Sequence, residues 1–127
     1  MKKIINTNEA PSAIGPYSQG TIASGLVFVS GQLPIDPATG EFPPGGIAAQ
    51  TKQSIKNLEA ILSQAGCTLS DVVKTTVFMK DIGDFNAMNE VYAQYFDTEC
   101  PARSAVQVAA LPKGALVEIE AIACKSK

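Results

Sequence analysis

The C-terminal segment Leu116–Cys124 is the stretch that most restricts how this chain can fold. Its sequence, LVEIEAIAC, carries apolar residues at both sets of alternating positions, interrupted by two glutamates. Successive side chains of a β-strand point to opposite faces of a sheet, so a strand of this kind has apolar side chains on both faces. The segment Leu26–Val29 has the same property. The chain is therefore predicted to build a sheet whose two faces must both be covered.

Two other segments have the spacing of amphipathic helices, and several have the composition of strands. The helices are predicted at Ile47–Ala65, with Gly66 as a C-terminal cap, and at Asp84–Phe96. The strands are predicted at Lys3–Asn6, Thr21–Gln32 with a break at Ser24–Gly25, Val72–Lys80, Arg103–Ala109 and Leu116–Cys124. This order, β-β-β-α-β-α-β-β, is typical of an α+β sheet with two helices.

The last two predicted strands are joined around Pro112–Gly114, and we expect them to pair as an antiparallel hairpin. Two helices can cover only one face of the sheet. The second apolar face then needs a cover from outside the chain, which a homo-oligomer would supply. The length of 127 residues fits a single domain over residues 1–127.

The composition weighs against several classes of function. The chain has no histidine, so a Ser-His-Asp triad and a Cys-His pair are both excluded. Zinc would have to bind cysteines and carboxylates that lack the spacing of a metal site. The net charge of −2, without a block of like charges, gives none of the basic surface typical of nucleic-acid binding. No apolar run reaches the roughly 18 residues of a membrane-spanning helix.

The cysteines and the N-terminus indicate a cytoplasmic protein. Cys67, Cys100 and Cys124 are odd in number and widely spaced, which favours reduced thiols over a disulfide framework. The N-terminus has two lysines but no apolar segment behind them, so no secretory signal peptide is predicted. Any chemistry must then depend on carboxylates, lysine, arginine, tyrosine, cysteine, backbone groups or bound water.

Arg103 is the only arginine in a chain with nine lysines. Its planar guanidinium can bind a carboxylate through two parallel hydrogen bonds, which a lysine ammonium cannot do. In the expected hairpin, a register that matches the polar faces places Arg103 beside Glu118 and Glu120 on the face that the helices leave uncovered. Two interpretations follow: Arg103 grips a planar anion at a ligand site, or it forms an internal ion pair that holds the hairpin.

Three further positions are candidates for a pocket. Tyr17 lies on a loop stiffened by Pro16, so its ring either lines a pocket or packs at the base of the loop. Gly31 follows Ser30 at the end of a strand, where a glycine permits the close approach of a ligand or another chain, or marks a simple bulge. Asn89 on the second helix has no obvious partner in the sequence and is otherwise a surface or capping residue.

Four stretches of the sequence have the pattern of a known family. They are AIGPYSQG, FVSGQLPIDPATGE, VVKTTVFMKDIGDFNAMNEVY and PARSAVQVAALPKGALVEIEAIA, and they span nearly the whole chain. The last is the most specific, with its Pro-x-Arg-Ser head and Val-Glu-Ile-Glu tail. Together they resemble the reactive intermediate deaminase A family, also called RidA/YjgF and formerly endoribonuclease L-PSP. The resemblance implies a chorismate-mutase-like (YjgF-like) α+β fold, and a homotrimer with its sites in clefts between subunits.

The resemblance also implies an activity. Members of the RidA type hydrolyse 2-imino acids, chiefly 2-iminobutanoate and 2-iminopropanoate, to 2-keto acids and ammonia, which removes reactive enamines released by pyridoxal-phosphate enzymes. Carried onto this chain, Arg103 would hold the substrate carboxylate, and Glu118 would position and polarise the attacking water. The substrate pocket would be shaped by Tyr17, Ser30, Gly31, Asn89 and Ala105. No cofactor or metal is implied.

One position departs from the family pattern. Many members have cysteine two residues after the arginine, where this chain has Ala105. A water mechanism needs no cysteine nucleophile, so the expected effect is on pocket size and substrate preference. Two alternatives stay open: a non-catalytic trimer that binds a small carboxylate or regulates another protein, and the ribonuclease of the older family name. The acidic balance and the missing histidine weigh against the ribonuclease.

Overall fold

The computed structural model describes residues 1–125, which contain six strands and two helices. The strands are β1 (Lys3–Ile5), β2 (Gly20–Ala23), β3 (Leu26–Gln32), β4 (Val72–Met79), β5 (Ala102–Gln107) and β6 (Val117–Cys124). The helices are α1 (Gly46–Gln64) and α2 (Phe85–Tyr95). The element order is the predicted one, and the break at Ser24–Gly25 separates β2 from β3. Neither helix within residues 1–125 combines the length and hydrophobicity needed to cross a membrane.

All six strands form one mixed sheet in the order β1-β2-β3-β6-β4-β5. Neighbouring strands are antiparallel except β4 and β5, which run parallel. A parallel pair needs a long crossover connection, and α2 lies in the connection between these two strands. The sheet is therefore antiparallel from β1 through β2, β3 and β6 to β4, and its last pair, β4 and β5, is parallel.

The predicted hairpin between the last two strands is wrong. β5 is the edge strand beside β4, and β6 lies inside the sheet between β3 and β4. Burial explains this placement, because a central strand is packed more fully than an edge strand. Every second side chain of β6 from Val117 to Ala123 is buried, whereas each residue of β5 is exposed or half-buried.

The core lies between the helices and one face of the sheet. Helix α1 packs on β3 and β6, and α2 packs against α1. Fully buried side chains of this layer include Val27, Ile55, Leu58, Ile61, Leu62, Val77, Val117 and Ile119. Helix α1 ends at the predicted cap, where Gly66 adopts a left-handed φ of 80°. The predicted α+β architecture, with two helices on one face of a mixed sheet, is confirmed.

The other face of the sheet, called here the uncovered face, has no layer of its own within residues 1–125. Phe28 of β3 pairs with Ile122 of β6, and Phe78 of β4 pairs with Val106 of β5. Phe28 and Val106 are exposed, and the other two are half-buried. The single chain thus presents the second apolar face that the alternation in its strands predicts.

Candidate active site

A cavity of about 640 Å³ lies beside the ends of β3 and β6. Four of the residues predicted from the sequence line it, namely Tyr17, Ser30, Gly31 and Glu118, and we call these four the carboxylate cluster. Three of the predicted residues, Asn89, Arg103 and Ala105, are not among the residues that line this cavity. The predicted site is therefore divided within one chain.

A β-bulge shapes the wall of the cavity. The pairing of β3 with β6 shifts between Val29 and Gln32. Two residues of β3, Ser30 and Gly31, therefore lie opposite the single residue Glu120. A bulge of this kind bends the strand and re-aims the side chains next to it. The structure has the bulge that the sequence interpretation gave as one alternative, and the group that comes close to Gly31 is a side chain of the same chain.

The close approach is between Gly31 and the side chain of Glu118. A Cβ atom built on Gly31 would overlap a carboxylate oxygen of Glu118 and would lie 3.0 Å from its carboxyl carbon. Glycine at position 31 therefore allows the Glu118 carboxylate to rest against the backbone of β3. Any larger residue at this position must push the carboxylate aside.

Glu118 is a carboxylate with an altered proton affinity. It is half-buried on β6, on the face opposite to the buried side chains of its sequence neighbours Val117 and Ile119. Burial raises the pKa of Glu118 above its usual value, and the negative charge of Glu120 raises it further. A carboxylate with a raised pKa is a stronger base, and it is suited to exchange a proton with water or substrate.

Tyr17 lies on a loop that the buried side chain of Gln19 helps to hold in place. Gln19 is only 2% exposed, and its amide nitrogen donates hydrogen bonds to the carbonyl oxygens of Thr7, Ala10 and Pro11. Its amide oxygen accepts a hydrogen bond of 2.8 Å from the backbone N–H of Thr7. Tyr17 itself is 52% exposed and lines the cavity, and its hydroxyl accepts a 3.4 Å hydrogen bond from the backbone N–H of Ile14 in the same loop.

Ser30 ties the bulge to the same loop. Its hydroxyl donates a 2.6 Å hydrogen bond to the carbonyl oxygen of Ser18, and its backbone N–H donates to the carbonyl oxygen of Gln19. The hydroxyl proton of Ser30 is thus engaged within the protein. Its oxygen can still accept a hydrogen bond from a ligand in the cavity.

Arg103 and Asn89 form a second group, which we call the guanidinium cluster. An Nη atom of Arg103 donates a 2.7 Å hydrogen bond to Oδ1 of Asn89 on α2. The guanidinium carbon lies 4.8 Å from the centre of the Tyr92 ring and 5.4 Å from that of Phe85. Asn89 therefore has the partner that the sequence did not reveal, and α2 supplies three of the residues around the arginine.

The predicted proximity of Arg103 to Glu118 within one chain is wrong. Arg103 contacts α2 and so lies on the helix-covered face, whereas Glu118 alternates with core residues of β6 and points to the uncovered face. The prediction failed because it assumed that β5 pairs with β6, and β4 separates them. An ion pair holding a hairpin is excluded for the same reason.

Ala105 lies on the same face of β5 as Arg103, two residues further along. It pairs with Val77 of β4 and packs partly against the core. Ala105 is thus half-buried on the face of β5 that carries Arg103, and it is not among the residues that line the cavity.

The sequence interpretation missed three residues around these groups: Gln19, Phe85 and Tyr92. For the aromatic pair a signal was present, because Phe85, Asn89 and Tyr92 are spaced four and three residues apart and so share one face of a helix. Gln19 gave no such signal, since a buried amide that holds a loop has no periodicity of its own.

Comparisons with known proteins agree with this architecture. A family model described as Endoribonuclease L-PSP matches residues 7–125. A Bos taurus protein named 2-iminobutanoate/2-iminopropanoate deaminase is 54% identical over 123 residues, which are 97% of this chain and 90% of that protein.

Solved structures are similar over the same extent. The crystal structure of E. coli TdcF with bound serine is 50% identical, has a TM-score of 0.93, and is matched over 98% of this chain and 99% of that one. The structure of the YjgF gene product of E. coli is 48% identical with a TM-score of 0.93, also over 98% and 99% of the two chains. The chain therefore belongs to the endoribonuclease L-PSP family, also known as the RidA/YjgF family.

Proposed function

We propose that this protein is a hydrolase that converts 2-iminobutanoate and 2-iminopropanoate to the corresponding 2-keto acids and ammonia. The observation that carries the proposal is the half-buried Glu118 carboxylate, with its raised pKa, on the wall of the 640 Å³ cavity. A relative with 54% identity is named for this reaction. The cavity thus offers a proton acceptor of suitable strength in a chain that has no histidine.

The reaction adds water across a carbon–nitrogen double bond. The carboxylate of Glu118 accepts a proton from water while the water oxygen bonds to C2 of the protonated imine. The resulting tetrahedral carbinolamine then loses ammonia after its nitrogen receives the proton from Glu118, and the Glu118 carboxylate accepts the hydroxyl proton as the carbonyl forms and passes it to ammonia or solvent. One protonated imino acid and one water give one keto acid and one ammonium ion. The iminium carbon is already electrophilic, so positioning supplies much of the rate.

The other predicted residues bind the substrate or shape the pocket. Arg103 grips the substrate carboxylate through two hydrogen bonds, and Asn89 holds one Nη atom of the guanidinium in place. In the carboxylate cluster, Tyr17 and Ser30 line the pocket beside Gly31. Ala105 sets the space beneath the arginine.

A complete site then needs two copies of the chain. The carboxylate and guanidinium clusters lie on opposite faces of one sheet, and Arg103 is on an edge strand, where a neighbouring chain can approach. The uncovered apolar face gives a reason for association. We place the assembled sites between the subunits of a homotrimer, with Arg103 and Asn89 from one subunit and Glu118 from the next. The unpaired state of all three cysteines fits a reducing cytoplasm.

The test measures hydrolysis of 2-iminobutanoate that is generated within the assay mixture. A threonine dehydratase releases 2-iminobutanoate, and semicarbazide traps whatever imine is left. The protein is expected to reduce the trapped fraction in proportion to its concentration and to release equal amounts of ammonia and 2-oxobutanoate. A well-folded oligomer that leaves the rate of imine loss unchanged would contradict the proposed activity.

The same assay distinguishes the proposed enzyme from a second candidate, a non-catalytic binding module. That candidate has one observation in its favour, since a relative, E. coli TdcF, has been solved with bound serine, a small carboxylate. A binding module would still bind 2-oxobutanoate but would leave the imine untouched. Catalysis therefore separates the two functions.

Gly31→Ala is expected to lower kcat by about tenfold or more, because the added methyl group displaces the Glu118 carboxylate. The fold should survive, since the obstructed atoms are the end of a flexible side chain. The matched control is the same substitution in a Glu118→Asp background, where the shorter carboxylate leaves room for the methyl group. There the added loss should be smaller, and an equal loss in both backgrounds would show that Gly31 acts in another way.

A further inference from the structure

The guanidinium of Arg103 is enclosed by aromatic rings from one helix. The rings of Phe85 and Tyr92 have their centres 5.4 Å and 4.8 Å from its central carbon. At these distances a cation is attracted to the face of an aromatic ring. Asn89 lies between the two along the same helix and accepts a hydrogen bond from the guanidinium. Three residues of α2 therefore restrain one side chain of β5.

The Tyr92 ring is itself fixed from the sheet. Its hydroxyl lies 2.7 Å from Oγ1 of Thr75, and both side chains are buried. Thr75 is the residue of β4 that pairs with Arg103 in the parallel part of the sheet. Thr75, the neighbour of Arg103 in the sheet, therefore helps to fix the position of the Tyr92 ring that the guanidinium covers. Either hydroxyl can be the donor in this bond, and burial raises the pKa of Tyr92 further above its usual value.

The contacts with Phe85, Tyr92 and Asn89 leave N–H donors of Arg103 free to bind a ligand. A guanidinium has five N–H donors, and the bond to Asn89 uses one of them. The remaining donors can still bind a carboxylate through two parallel bonds, and the rings add attraction without occupying any donor. A long side chain loses rotamer freedom when binding orders it, and here the free protein has already restricted the side chain of Arg103.

We propose that Phe85, and Tyr92 together with Thr75, are positioning residues that hold Arg103 ready to bind the substrate carboxylate. This inference rests on the proposed function, in which Arg103 binds that carboxylate. It assigns to α2 a role in substrate affinity that the cavity-lining residues alone do not reveal. The positioning residues act through Arg103, so their loss should change binding more than the chemical step.

The test uses the fact that Arg103 is the only arginine. Arginine labelled with ¹⁵N gives one Nε–Hε signal, which reports directly on this side chain and senses the ring currents of its neighbours. The variants are Tyr92→Leu and Phe85→Leu, each of which removes one ring, and Tyr92→Phe, which keeps the ring but removes the bond to Thr75. Tyr95→Leu is the control, because it removes a tyrosine from the same helix away from the arginine.

Each ring removal is expected to shift the Arg103 signal and to raise KM, and the Kd for 2-oxobutanoate, by about tenfold. The kcat should stay within about threefold of wild type. Tyr92→Phe should weaken binding by about threefold, and Tyr95→Leu should leave the signal and the Kd unchanged. Phe85→Leu keeps the test decisive if the buried Tyr92 site tolerates no leucine.

A Kd for 2-oxobutanoate that stays at the wild-type value in a folded ring variant would overturn the inference, whatever the Arg103 signal does and even if that variant were less stable. The two hypotheses fail in different ways. If the wild type hydrolyses no imine, the proposed function fails, and the signal and the Kd still decide whether the rings position Arg103.

Discussion

Glu118→Gln is expected to lower kcat for 2-iminobutanoate by about 10²- to 10³-fold, because glutamine cannot accept a proton from the attacking water. The amide is close in shape to the carboxylate, so the pocket beside Gly31 should be preserved and KM should change little. The measurement is the trapped-imine assay under saturating substrate. A variant that retains more than about a tenth of wild-type kcat would remove Glu118 from the role of general base.

Loss of folding is not expected to confuse this result. The pKa of Glu118 is higher in the folded protein than its ordinary value, so the folded state binds this proton more tightly than the unfolded chain does. The stability from that proton is present below the ordinary carboxyl pKa and is lost as pH rises through the raised value. At neutral pH the ionised Glu118 therefore weakens the fold, and glutamine should be no less stable in urea unfolding.

The pH profile gives an independent control on the same residue. If the ionised form of Glu118 is the base, kcat/KM should rise with pH through its raised pKa. The Glu120→Gln substitution removes a neighbouring negative charge, so the pKa of Glu118 should fall and the acid limb should move to lower pH. Because burial is the larger cause of the shift, the limb should stay above the ordinary range for a carboxyl group. A limb that does not move would mean that another group titrates.

Arg103→Lys is expected to lower kcat/KM by about 30- to 100-fold, and mainly through KM. A charge-assisted hydrogen bond contributes about 1.5–3 kcal/mol, and lysine replaces a two-pronged contact by a point charge. The ammonium also cannot serve Asn89 and the substrate in the geometry that the guanidinium provides. Initial rates over a range of imine supply, with oligomer size checked by light scattering, give the two constants separately.

Two comparisons make the arginine experiment specific. Lys74→Gln removes a positive charge from the uncovered face, where the ammonium lies 3.3 Å from Ser104 Oγ, and it should affect KM far less. Arg103→Gln should lower kcat/KM more than Arg103→Lys does, because it removes the positive charge as well as the two parallel hydrogen bonds of the guanidinium. An Arg103→Lys variant with wild-type KM would indicate that charge alone is recognised.

Local pattern was enough to predict the elements of this fold. The helix over Ile47–Ala65 and the strand over Val72–Lys80 were predicted within one residue at each end, because periodicity and composition report on neighbours along the chain. The need for a second cover was likewise visible in Leu116–Cys124, since alternation states which faces are apolar.

Strand order could not be derived in the same way. Two consecutive strands joined by a loop resemble a hairpin. Nothing in the sequence of the loop around Pro112–Gly114 indicates that β4 lies between β5 and β6. The error moved Arg103 to the wrong face, although its identity as an unusual residue was correct. The composition of β5 was the available warning, because ARSAVQ has too few large apolar residues for a central position in the sheet.

The separation of the two clusters on opposite faces of the sheet has a genetic consequence. If each site combines Arg103 of one subunit with Glu118 of the next, a defect in either residue leaves the other half of the site intact. Two inactive alleles, one altered at each position, could then restore activity when expressed together, because some interfaces in a mixed assembly would join two unaltered halves. A cell carrying both would have fewer working sites, but it would not lack them.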